Sequence, residues 1–315
     1  MNEPRYSSPS AVQQAITDAA RRAHQQDPTR SVNSLIVQEH FRRFLTRIFR
    51  ADAEERWILK GGTAMLARLS NARSTRDIDL LNRDADLDAA EGELIALAQH
   101  DLGDFFRFVH MKSHGQSVGD VQQYVQGRRV VFEVYIGSAR QGRVSIDLVT
   151  GVEPTGAVQV QEPSGSLALP KLPSSAYRLF PLTDHLADKV CAIMSLYAGN
   201  ESSREKDLVD LVIAAIAPAQ GIYASELRDA ITVEARRRQL GPMERLVIPQ
   251  GWGKAYQRLT RETAAKERYA TIGQARELMT LFIDPVLSGK TRGAWSSDRL
   301  SWGTMQDGLV APQNQ

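Results

Sequence analysis

The stretch Leu59-Lys60-Gly61-Gly62-Thr63, followed after a short helical span by Asp77-Ile78-Asp79-Leu80-Leu81, decides how this chain is read. Trp57 to Lys60 forms a short apolar strand that Gly61-Gly62 breaks. Thr63 to Ser70 carries Met65, Leu66 and Leu69 at helical spacing, and Asn71 to Arg76 reads as a polar turn. Asp77 to Leu81 alternates, so both carboxylates leave one face of a strand while Ile78 enters the core. Two carboxylates side by side repel unless cations lie between them. Hard divalent cations such as Mg²⁺ suit one or two carboxylates plus substrate phosphates. Gly61 and Gly62 permit close backbone approach. The helix opening at Thr63 offers its N–H groups and hydroxyl to an anion. Taken alone, the aspartates also fit a solvent-facing strand edge, and the glycines an ordinary strand-to-helix turn. Together, with the thirteen residues Ala64 to Arg76 between them, they make both halves of a metal–triphosphate site.

A third carboxylate completes that arrangement. Asp147 lies in Val144-Ser145-Ile146-Asp147-Leu148-Val149, a strand with apolar neighbours, where a lone acid calls for a cation. In a two-ion displacement it would hold the first ion and accept the proton of the attacking hydroxyl. Further out, Asp84 to His100 is helical, and Phe105–Val109, Val130–Ile136 and Arg143–Val149 are strands. The region from Val149 to Pro173 is rich in proline and glycine and marks a border. Beyond it the chain is helical: Thr183 to Tyr197 with Thr183 as N-cap, Glu205 to Ala217, Ala224 to Gln239, Trp252 to Arg261 and Thr271 to Leu287. Residues 1–50 read as N-terminal helices, 51–160 as a sheet domain carrying chemistry, 161–287 as a helical domain walling a cleft, and 288–315 as a polar, mobile tail. Within that tail, Trp295 and Trp302 argue that part of it docks.

Composition sets the outer limits. The chain has 315 residues, 42% hydrophobic and 24% charged, with a formal net charge of +2. Those values exclude a fibrous protein, a disulfide scaffold and disorder throughout. The longest apolar run, Leu208 to Ala217, is short and holds Asp210, so no membrane span is expected. Met1 to Ser10 lacks the apolar core of a secretory signal. The single cysteine, Cys191, fits a reducing, cytoplasmic setting and packs as core.

The Gly-Gly-Thr and Asp-Ile-Asp motifs with a later strand aspartate resemble the nucleotidyltransferase superfamily of DNA polymerase β type. Within it, Leu59–Met65 and Arg73–Leu80 are similar to the AbiEii-type toxins of type IV toxin–antitoxin systems. Asp184-His185-Leu186-Ala187-Asp188-Lys189 resembles that family's lysine-bearing helix, and Ser203–Leu211 its Arg-x-Lys-Asp motif. The fold implied is α+β, a small mixed-sheet nucleotidyltransferase core flanked by helices and followed by an α-helical C-terminal domain. The resemblance implies that Gly61, Gly62 and Thr63 hold the terminal phosphates of an NTP. It implies that Asp77 and Asp79 bind Mg²⁺, two ions with Asp147. Lys189 would contact the triphosphate, and Asp207 and Asp210 would shape the pocket or orient Lys189. It further implies nucleotide transfer to the 3′ acceptor end of tRNA, which blocks translation, and a cognate antitoxin encoded elsewhere.

The acceptor has independent support from basic clusters: Arg42, Arg43, Arg47 and Arg50 on the Leu35–Phe49 helix, Arg236-Arg237-Arg238, and Arg258, Arg261, Lys266 and Arg268. Each also fits a solvated helix face. Trp252 and Tyr256 would stack on bases or pack in a core. Two other readings stay open: the same chemistry on a protein or small-molecule hydroxyl, and a nucleotide-binding module without activity. Ser74 and Thr75 lie beside Asp77; a phosphate on either would add nearly two negative charges next to the metal carboxylates and regulate the site.

Overall fold

Trp57, Ile58 and Leu59 are each fully buried, which is what a strand covered on both faces requires. This strand, β1 (Trp57–Lys60), lies inside a seven-stranded sheet. The computed structural model describes residues 6–50, 55–69, 72–73, 75–84, 86–115, 126–197, 199–218, 221–261 and 263–303. The chain divides into two units, Met1–Glu153 with Val158–Phe180, and Pro154–Ala157 with Pro181–Gln315.

In the first unit the chain runs α1 (Pro9–Gln26), α2 (Val32–Ile48), β1, α3 (Gly61–Arg68), β2 (Ile78–Asn82), α4 (Leu87–Ala98), β3 (Phe106–Gly115), β4 (Gln126–Ile136), β5 (Ala139–Thr150), β6 (Gln159–Gln161) and β7 (Tyr177–Leu179). The spatial order of strands is β3-β4-β5-β2-β1-β7-β6. β2 runs antiparallel to β1 and parallel to β5. Helix starts follow local chemistry: the hydroxyls of Ser8 and Ser31 and the carboxylate of Asp86 accept the N–H groups that α1, α2 and α4 leave open.

The alternation of β2 divides the sheet faces. Ile78 and Leu80 join the large core with Phe44, Phe108, Phe132, Ile146 and Leu148. On the other face Leu81 meets Ile58, Val152 and Phe180 in a smaller cluster. The sheet continues past residue 160, where the sequence predicts the helical domain to begin. β7 pairs with β1 and β6 with β7, and strands of three residues are too short to show a period.

The arginines of α2 depart from expectation. Arg43 and Arg47 are buried rather than solvated or turned to RNA. Arg47 makes two bonds to Asp104, at 3.1 and 2.7 Å, and a third to the Phe106 carbonyl. Arg43 Nε lies 2.8 Å from Glu39 Oε1, and burial pushes the Glu39 carboxyl above the usual range. Arginines four apart look alike in sequence whether water or buried acids oppose them; here Glu39 and Asp104 do.

The second unit holds α5 (Leu182–Met194), α6 (Glu205–Ile216), α7 (Ala224–Arg237), α8 (Gly253–Thr260), α9 (Ile272–Phe282), α10 (Asp284–Leu287) and the hairpin β8 (Trp295–Ser296) with β9 (Ser301–Trp302). The N-cap of α5 is Pro181, not Thr183. Asp184 instead accepts the backbone N–H groups of Thr155 and Gly156. The hairpin falls in the segment expected to be mobile. Trp302 stacks 5.8 Å from Phe282, and Trp295 donates to the Ala215 carbonyl. Residues 304–315 of that tail lie outside the described residues. Among the described residues no helix is long and apolar enough to cross a membrane.

Candidate active site

The acid row is a product of sheet register. Asp79 on β2 is the partner of Asp147 on the adjacent parallel strand β5. On its other side Asp79 faces Lys60 of β1, and Asp147 faces Arg129 of β4. Four charged residues on four neighbouring strands therefore share one level of the sheet, on the face opposite the buried Ile78 and Leu80. Asp77 precedes β2 by one residue and is 40% exposed.

Gly61 explains itself in this setting. Its φ is +63°, and a Cβ there would stand 1.7 Å from Asp79 Oδ2. No other residue fits beside that carboxylate. A Cβ on Gly62 would meet Thr75 at 3.0 Å, so the second glycine is tight as well. Thr63 is buried, and its hydroxyl donates to the Asp77 carbonyl at 3.0 Å. Thr75 donates to the same carbonyl at 3.2 Å. Thr63 thus ties α3 to the entry of β2 with the hydroxyl that the sequence assigned to an anion. α3 begins at Lys60 with no side-chain cap, which leaves backbone N–H groups as the anion donors there. Thr75 sits against Gly62; Ser74 lies outside the described residues.

Sequence reasoning missed two cations. Arg129 grips Asp147 with a fork: Nε to Oδ1 and Nη2 to Oδ2, both 2.7 Å. The ammonium of Lys60 rests 4.4 Å from the centre of the Phe180 ring. Their signal was the strand alternation around them, legible once the pairing partners are known. Among the described residues no three His, Cys, Asp or Glu side chains converge to hold a metal ion. The donor set still suits a hard divalent cation: Asp79 and Asp147 are register partners, Asp77 directly precedes β2, and the Arg129 guanidinium stands as a cation between Asp147 and Asp77 (3.9 Å).

The second unit builds a different cluster. Lys189 on α5 donates to Asp207 Oδ1 at 3.1 Å and to Asp210 Oδ2 at 2.6 Å, both on α6. All three side chains are at most 9% exposed. The two later motifs thus meet in one ion-paired triad.

A protein-family model for the nucleotidyl transferase AbiEii toxin of type IV toxin–antitoxin systems matches residues 43–300. The chain belongs to this AbiEii family. It is accordingly a nucleotidyltransferase, and the family works with a nucleotide substrate and an antitoxin partner. The match spans both the acid row and the Lys189 triad. No curated protein matches the chain. Among solved structures, JHP933 from Helicobacter pylori shows 15% identity and a TM-score of 0.39, over 65% of this chain and 80% of that one. A second H. pylori protein, described provisionally as a nucleotidyltransferase, gives the same identity and TM-score and is covered over 82%. At that depth of superposition neither bears on the AbiEii site.

Proposed function

We propose that the chain transfers a nucleoside monophosphate from an NTP to the 3′ acceptor hydroxyl of tRNA, with Mg²⁺ held by Asp77, Asp79 and Asp147, and that it blocks translation in this way. The observation that carries the reading is the pairing of Asp79 with Asp147 beside a glycine that admits no side chain. Bound there, Mg²⁺ supplies Lewis-acid activation of the α-phosphate and neutralises charge on the departing pyrophosphate. The protein's own groups do the rest. Backbone N–H groups of Gly61, Gly62 and Thr63 hold the phosphates at the uncapped start of α3. Asp147, 17% exposed, accepts the proton of the attacking hydroxyl. In the helical unit Asp207 and Asp210 hold Lys189 in a buried ion-paired triad. A phosphate on Thr75 would remove its hydrogen bond to Asp77 and set two negative charges beside the acid row.

Support for an RNA acceptor comes from the second unit. Lys254, Arg258, Arg261, Lys266 and Arg268 are all exposed and suited to a phosphate backbone. Arg238, by contrast, is spent on Asp188 and Glu234, and Trp252 and Tyr256 are buried, donating to the carbonyls of Ser202 and Tyr269.

The test is incubation with total tRNA, Mg²⁺ and each labelled NTP in turn, beside Asp79→Ala. Label on tRNA from the parent, lost by at least about a thousandfold in the variant, is the expected result. Label on protein instead would replace the acceptor. Transfer by Asp79→Ala would remove the metal assignment.

A further inference from the structure

Arg129 is placed by an irregularity in the β4–β5 hairpin. Next to the turn Ile136 faces Ala139 and Tyr135 faces Arg140, but Val134 faces Gly142, so the register shifts by one. That shift sets Arg129, rather than Arg128, opposite Asp147. The two neighbours then leave opposite faces of the sheet. Arg128 reaches α4, where it pairs with Asp88 at 2.8 Å and with Glu91; the hydrogen bonds to Glu91 and then Asp88 hold its guanidinium above the ordinary value. Arg129 reaches the acid row.

The contact there occupies Asp147 completely in the end-on direction. Each carboxylate oxygen takes one N–H at 2.7 Å, the strong bidentate geometry of guanidinium and carboxylate. Nη2 also lies 3.9 Å from Asp77 Oδ2. One cation therefore stands against two of the three acids. The pair is not sealed: Arg129 is 38% exposed and Asp147 17%. Water and ions reach it, and the arginine has solvent into which it can withdraw.

We propose that Arg129 is a positioning residue that serves as the exchangeable counter-cation of the acid row: it holds Asp147 in the metal-free chain and yields it when a divalent cation binds. Metal loading is then an exchange of one cation for another, and Arg129 sets the affinity. This rests on the acid row being the metal site proposed above. The withdrawn guanidinium stays tethered to β4 beside the row, where phosphate is its natural partner.

The experiment uses the full chain and Mn²⁺ alone, without nucleotide or RNA, following free Mn²⁺ by electron paramagnetic resonance. Parent, Arg129→Gln, Arg129→Lys, Asp79→Asn, Asp147→Asn and the Arg129→Gln/Asp147→Asn double variant are compared, each checked for a cooperative melt. Arg129→Gln should bind Mn²⁺ about tenfold more tightly, the scale of a lost bidentate charge pair. Arg129→Lys keeps the charge without the fork and should fall between it and the parent. In the Asp147→Asn background the same arginine change should alter affinity less than about twofold, because the exchange runs through Asp147. Asp79→Asn should weaken binding. Should Arg129→Gln fail to fold, the lysine variant carries the comparison. Unchanged or weaker binding in the arginine variants, with Asp79→Asn still weakening it, would overturn the exchange and leave the metal site standing. No Mn²⁺ binding by the parent or any variant would overturn both.

Discussion

Arg129 and Lys189 each face two carboxylates, and the two clusters are closed in different ways. Arg129 lies on a sheet face, 38% exposed, against Asp147 and Asp77. Lys189 lies between two helices, 4% exposed, against Asp207 and Asp210. Taking a charge from the first leaves carboxylates that water or an incoming ion can serve. Taking a charge from the second strands two acids in a dry interior, where their repulsion is hardly screened. An enzyme that must trade cations during its cycle needs the open kind. A cation that must stay in one place needs the sealed kind.

The largest effect expected from breaking this contrast belongs to Gly61. Gly61→Ala puts a methyl group into the Asp79 carboxylate and forces an L-residue to φ +63°. The open cluster is displaced by about an ångström or more, and transfer should fall at least about a hundredfold, with a stability loss of roughly 1–3 kcal/mol. Labelled-NTP turnover beside a denaturant melt separates the two; near-parental turnover would mean that Asp79 is not held by that glycine. Next comes Lys189→Met. The sealed cluster loses its cation and the chain should lose about 3–5 kcal/mol. Adding Asp210→Leu should recover part of it. If Lys189→Met melts like the parent, the triad is more open than its burial implies.

A third sealed place, inside the first unit, responds to pH. Burial lowers the His40 imidazole from its ordinary 6.5 to about 4. The unfolded chain therefore binds a proton that the folded one refuses. The stability present above pH 6.5 is lost as pH falls toward about 4, by up to about 3 kcal/mol. Neighbouring Glu39 works in the opposite sense, since burial raises its carboxyl and folding favours its proton. The difference between parent and His40→Gln in urea melts at several pH values removes that contribution. The loss below pH 6.5 should be smaller in the variant; parallel curves would contradict it. The smallest effect belongs to Arg128→Ala, which is itself 27% exposed and whose partners Asp88 and Glu91 are 84% and 13% exposed. It should cost no more than about 1 kcal/mol and leave Mn²⁺ affinity unchanged, which sets it apart from its neighbour Arg129.

Much of the site was legible along the chain. Asp79 leaves one face of β2 because side chains alternate, and Gly61 marks a close approach because a glycine pair ends an apolar strand; Asp77, expected on the same strand, lies one residue before it. Asp147 stood out as an acid among apolar residues. The motifs around Lys189 and Asp207 were recognisable by resemblance, and structure brings them into contact. Other parts left no local trace. β7 is three residues long and became a strand by pairing with β1. Arg43 and Arg47 have the spacing of a solvated stripe, and their burial depends on Glu39 and on Asp104, which is far away in sequence. Thr63 was read as a ligand for anions, but Asp77's carbonyl takes its hydroxyl.

The sequence by itself determined that a mixed α/β half precedes a helical half, that Asp79 leaves the face of a strand opposite Ile78, and that a glycine pair stands before it. Each follows from periodicity or from what a Cβ excludes, and needs no knowledge of distant residues. The tertiary structure decided which cation meets the acids. Continued unshifted from the turn, the hairpin would set Arg128 across from Asp147; the one-residue shift near Val134 sets Arg129 there. Side chains alternate with a period of two, so a slip of one residue exchanges the faces. Nothing in the local pattern of Arg128-Arg129 distinguishes the two, and the shift is settled by how β4 and β5 pair across the whole sheet.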